Sequence, residues 1–224
     1  MSRENLVFSY AMVAGVTLLF IVGLSRRDLL VEDGLVEMLS AAGFAAASLL
    51  VVYAADKKWA RLALAERITL VGAGGLSSIA FLSEISFGAR IFDFQMPQMR
   101  GGGEFDGGHD IVMVLFRQIK DTGAVGMRTA AAGGTLFVAA ATALIWVFRQ
   151  KAQAVVAHVL SKAFEFRVAV AIAMLASAVA LDLMTSHKAA VLEEVLEFSA
   201  SSVMILAVLK LLRQTDDRVV FPNR

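Results

Sequence analysis

Residues 5–24 and 129–148 contain no charged side chain. A run of about 20 apolar residues matches the length of helix that crosses a hydrocarbon core of about 30 Å. In that medium every backbone N–H and C=O must be satisfied inside its own segment, which selects helices over open strands. The two runs therefore predict an all-α chain built in lipid. Four weaker runs join them, at residues 34–55, 68–89, 168–186 and 189–209, each carrying carboxylates near one end. The expectation is a polytopic transmembrane helix bundle, one domain of six spans over residues 1–224. The first run begins almost at once and is too long for a signal-peptide core, so it reads as a retained helix.

Composition agrees. Of 224 residues, 58% are hydrophobic and 18% charged, against about a quarter charged in an ordinary soluble domain. The net charge of +1 and the lack of any aromatic-interleaved basic run exclude nucleic acid as a partner. With no cysteine, disulfides and thiolate chemistry are excluded, and any site must be built from oxygen and imidazole groups. The partner implied throughout is the lipid bilayer.

Positive residues stay on the cytoplasmic side of short loops. In a six-span chain one side holds Arg3, Lys57, Lys58, Arg61, Arg67, Arg149, Lys151, Lys162, Arg167, Lys210 and Arg213; the other holds fewer, most of them in a single long loop. The bias places both termini in the cytoplasm, against the pull of Arg26 and Arg27. The long outer loop, residues 93–126, opens with Pro and Gly and continues into an apolar stretch, 111–120, expected as a re-entrant or interfacial helix. Residues 150–167 are amphipathic on the inner side, as a second interfacial helix or an extension of the fifth span.

Carboxylates are the unusual feature. At about 1.5 Å per residue, Glu84 lies about 25 Å up its helix from Arg67, Glu197 about 20 Å from Lys210 and Asp182 about 22 Å from Arg167. All three then fall in the outer third of the membrane, where a carboxylate costs on the order of 3 kcal/mol and turns toward a protein interior or a wet cavity. Glu37 joins them with Asp33 one turn above and Ser40 one turn below, and Glu193 precedes Glu197 by one turn with Ser201 one turn below. Arg90, Glu104, His109 and His187 stand nearby in the outer loops. For Glu37, Glu193 and Glu194 a plainer reading exists, since carboxylates suit the positive end of a helix dipole; His187 fits a surface position. Glu84 and Glu197 lie too deep for that explanation.

Glu37, Glu84, His109 and Glu197 make the candidate ligand set for a divalent cation, with oxygen donors and one imidazole. Gly72, Gly74, Gly75, Gly133 and Gly134 are expected at close helix contacts rather than in a phosphate loop, because no Walker lysine accompanies them.

The run Phe81-Leu82-Ser83-Glu84-Ile85-Ser86-Phe87-Gly88-Ala89-Arg90, with Gly103-Glu104 and Gly108-His109-Asp110 after it, resembles a pattern in a group of uncharacterised bacterial multi-pass membrane proteins. Those have a helix ending in a Glu-x-Ser-x-Gly-x-Arg string and a Gly-Glu/His loop. The openings Asp33-Gly34-Leu35-Val36-Glu37 and Glu193-Glu194-Val195-Leu196-Glu197 are similar to that group too. This chain departs from it at Ser83, Phe87, Ala89 and the Gly107-Gly108 pair ahead of His109; the group carries no function across, and the resemblance implies a bacterial inner membrane as the setting. A looser similarity, to zinc hydrolases of the alkaline ceramidase type, lacks their paired His-x-x-x-His here.

Two functions follow as alternatives. One is an accessory or structural subunit of a membrane complex, docking a membrane-protein partner through the outer acidic face. The other is a cation-dependent enzyme, hydrolase-like, acting on a lipid or lipid-linked substrate through a metal-bound water.

Overall fold

The computed structural model describes residues 1–26, 34–88, 92, 114, 119, 121–182, 184 and 186–220, the last five as backbone only. Among them no strand occurs. Seven α-helices run α1 (Arg3–Ser25), α2 (Leu35–Lys58), α3 (Leu64–Glu84), α4 (Gly123–Val147), α5 (Arg149–Ser161), α6 (Ala163–Asp182) and α7 (His187–Val220). Five helical stretches are long and apolar enough to cross a membrane: Arg3–Ser25, Leu35–Arg61, Gly123–Val147, Ala163–Asp182 and His187–Thr215.

The third expected span, 68–89, departs from that pattern. Its helix, α3, ends at Glu84 and has 21 residues. Glu66 and Arg67 at one end and Glu84 at the other shorten its apolar stretch, so it is not among the five. It is nonetheless packed along α2, to which a short turn joins it. There Glu66 Oε2 accepts the Ala63 N–H at 2.9 Å, Arg67 Nε donates to the Leu62 carbonyl at 3.0 Å, and the guanidinium lies 5.3 Å from the Trp59 ring. The first satisfies a backbone donor that the helix start leaves open, and the second satisfies the carbonyl of the turn before it.

α7 is the central helix, packed against α1, α2, α3 and α6. Its inward face, Ala200, Val203, Met204, Ala207, Val208 and Leu211, meets Phe44, Ala47 and Val51 of α2 and Phe164, Val168 and Ala171 of α6 in one core. Small residues let the axes approach. A methyl group built at Gly43 would meet Ser201 Oγ at 2.5 Å, and one at Gly74 would meet a Val51 methyl at 2.7 Å. Alanine at either position would force helices apart.

The basic residues gather at one end. Glu4 of α1 accepts from Arg167 of α6 at 3.0 Å and from Lys210 of α7 at 2.8 Å. Arg167 also donates to the Leu206 carbonyl at 2.9 Å and lies 4.8 Å from the Phe8 ring. Asn5, fully buried, donates to the Leu160 carbonyl at 3.0 Å, tying α1 to the end of α5. The amphipathic segment expected over 150–167 is two pieces, because the backbone turns extended at Lys162 and ends α5 before α6 begins.

α4 stands apart from this packing. Not one of its 25 residues is buried. The expected outer-loop helix over 111–120 lies outside the described residues apart from isolated positions.

Candidate functional site

Two sets of contacts fix the helix registers at the end opposite the basic cluster. Ser78 Oγ donates to Ser48 Oγ at 3.2 Å, and Gly74 faces Val51, so α2 and α3 run antiparallel with Glu84 opposite Ala41 and Ala42. Gly43 faces Ser201 and the charge of Glu37 acts on Glu197, so α2 and α7 run parallel with Glu197 level with Leu39. Glu37, Glu197 and Glu84 therefore fall within about 7 Å of helix rise, on three helices that pack together.

Electrostatics agrees with the register. Glu197 feels the charges of Glu84, Glu194, Glu37 and Asp182. Glu193 feels those of Asp182, Glu197 and Glu194. Residues from α2, α3, α6 and α7, scattered over the chain, thus share one electrostatic neighbourhood. All six carboxylates are half-buried. Like charges in a partly dry space repel, and a shared proton, a cation or a basic side chain relieves them.

The local sequence explains how Glu84 is presented. After it the chain turns left-handed, with φ of 48° at Ser86, 51° at Phe87 and 92° at Gly88. Only glycine adopts that region without cost, so Ser86 and Phe87 are strained positions, of the kind that cluster at functional sites. Ser86 is buried while Phe87 is 42% exposed. The turn ends α3 at the level of the other carboxylates instead of letting it run on to residue 89.

Beneath the carboxylates lie buried hydroxyls. Ser40, one turn below Glu37, and Ser77, two turns below Glu84, are each fully buried, and neither Oγ has a hydrogen-bond partner among the described residues. Ser201 is buried too, donating to the Phe198 carbonyl at 2.9 Å. Ser77 escaped the sequence reading; its only signal is a Ser-Ser pair inside an apolar helix. Asn5, at the other end, was missed for the same reason.

Other expected members fare differently. His187 is exposed at the first position of α7, about 9 Å of rise beyond Glu193, which fits the surface reading. Arg90, Glu104 and His109, like Asp33, lie outside the described residues. Among the described residues no three of His, Asp and Glu converge in the way a metal ion requires; of the candidate ligands only Glu37, Glu84 and Glu197 belong to that set.

The glycines correct one expectation. Gly74 packs closely, as does Gly43, which the sequence did not single out, whereas methyl groups at Gly72, Gly75, Gly133 and Gly134 would meet nothing within 4 Å. Those four have no close neighbour among the described residues. No protein family, curated protein or solved structure matches this chain.

Proposed function

We propose that this chain is an accessory subunit of a bacterial inner-membrane complex, six spans with both termini cytoplasmic, and that a transmembrane helix of a different protein packs along α4. The observation that carries the reading is the state of α4. A glycine inside a helix costs about 1 kcal/mol relative to alanine. Gly133 and Gly134 incur that cost side by side, on a helix where no residue is buried and where no neighbour among the described residues justifies it. In lipid, small residues are what lets two helices approach, as Gly43 and Gly74 do inside the bundle. Met127, Phe137, Leu144 and Ile145, all exposed, supply apolar surface around them. The acidic end and the outer loop then form the partner's second contact, on the non-cytoplasmic side.

The test is assembly size at native abundance, in membranes solubilised into polymer-bounded discs without detergent. The unaltered chain runs with one stoichiometric, different membrane protein, and Gly133→Leu with Gly134→Leu releases it while leaving the chain folded. A chain that migrates alone, or only with copies of itself, contradicts the proposal.

A second reading is favoured by the gathering of Glu37, Glu84 and Glu197 at one level above buried Ser40. From it we infer as the alternative a cation-dependent membrane enzyme acting on a lipid or lipid-linked substrate, with His109 as the remaining ligand and the described carboxylates closing on the ion as it binds. Titration of the purified chain with Mn, Mg, Ca and Zn tests it: stoichiometric binding lost in Glu84→Gln and Glu197→Gln supports it, and no binding removes it.

A further inference from the structure

A groove of about 460 Å³ opens at the basic end of the bundle, lined by Arg3, Glu4, Val7, Phe8 and Ala11 of α1 and Arg167 of α6. That size lies in the ordinary range of small-molecule sites. Its walls divide by chemistry. Val7, Phe8 and Ala11 are apolar and run along α1 into the flank where Tyr10 and Val13 are also exposed. Phe166 meets Phe8 edge-on at 6.3 Å and stiffens that wall.

The rim carries a surplus of positive charge. Glu4 is already held by Arg167 and Lys210. Arg3 lines the same groove, and the charge of Arg213 acts on Arg167. Among the described residues, Arg3, Arg167, Lys210 and Arg213 thus gather at the end of the bundle that carries Glu4. Arg167 is half-buried, and its Nε has no acceptor among the described residues. A guanidinium offers five donors and satisfies phosphate oxygens well.

From this arrangement we propose that the groove between α1 and α6 holds an anionic phospholipid, its phosphate against Arg3 and Arg167 and an acyl chain along Val7, Phe8 and Ala11. Charge complementarity selects the headgroup, and basic pockets between helices at a membrane surface are suited to it. The apolar wall selects a lipid over a soluble anion, which would leave Val7 and Phe8 uncovered. The site is independent of α4 and of the acidic end.

The experiment uses the intact chain in nanodiscs with spin-labelled phosphatidylglycerol or phosphatidylcholine as probe, reading the motionally restricted fraction of each. Phosphatidylglycerol should be preferred about fivefold for each basic side chain engaged. Arg3→Ala, at an exposed position, should remove about one such factor. Ala11→Trp, which fills the groove from an exposed position, should bring the two lipids close to parity, while Lys151→Ala, away from the groove, leaves the preference intact. Equal retention by the unaltered chain, or a preference insensitive to both Arg3→Ala and Ala11→Trp, overturns the proposal. Displacement of the restricted lipid by millimolar glycerol phosphate would overturn it as well, since the site would then be one for a free anion.

Discussion

Two parts of this chain use the same small residues to opposite effect. In the bundle of α1, α2, α3, α6 and α7, Gly43 and Gly74 sit where a single methyl group would strike Ser201 or Val51. On α4, Gly133 and Gly134 meet no neighbour among the described residues, and no residue of the helix is buried. In the first case the backbone is close to its neighbour and the residue is explained within the chain. In the second no described neighbour explains it, and the proposed partner would. Glycine marks a close approach only when the approaching element is known, and the contrast is what the proposed partner of α4 accounts for.

Substitutions separate the halves by size and by sign. The largest effect is expected in the bundle, where Gly43→Leu drives α2 and α7 apart and costs about 3 kcal/mol, the upper range for overpacking; unfolding by sodium dodecyl sulfate, followed by circular dichroism, measures it. Arg167→Gln comes next. It removes the charge-assisted bonds joining α6 to Glu4 and to the Leu206 carbonyl, at a cost of about 2 kcal/mol. On α4 the sign reverses, since Gly133→Ala with Gly134→Ala strengthens the helix by up to about 1 kcal/mol per residue yet weakens association with the proposed partner. A loss of stability on unfolding the purified double variant would mean that α4 packs within the chain after all.

The smallest effect is at the acidic end. Glu193 and Glu197 are like charges one turn apart, and Glu197→Gln relieves that repulsion by roughly 0.5 kcal/mol. The same unfolding measurement should show a slight gain. A clear loss would instead reveal a bound cation holding the carboxylates, and would favour the enzyme reading over the subunit reading.

The all-helical architecture was legible because apolar length alone dictates it, and the gathering of Glu37, Glu84, Asp182 and Glu197 was legible because depth can be counted from the basic residues at each helix start or end. The exceptions share a cause. α3 falls short of the apolar spans because Glu66, Arg67 and Glu84 sit within it, and its end is set by a left-handed turn at Ser86 and Phe87 that no residue type announces except Gly88. Helix α7 runs past Lys210 and Arg213 because those residues mark where water begins, which does not stop a helix. Gly72 and Gly74 look alike in sequence, and only packing tells them apart. Likewise, neither Ser77 nor Asn5 betrays its burial until its neighbours are known.

The most direct test of the claim that α4 is completed from outside is a photo-reactive phenylalanine analogue placed at Gly133 and activated in native membranes, with one at Val125 for comparison. The account predicts that the Gly133 position cross-links to a single, different membrane protein. Adducts to α2, α3 or α7 of the same chain would contradict it.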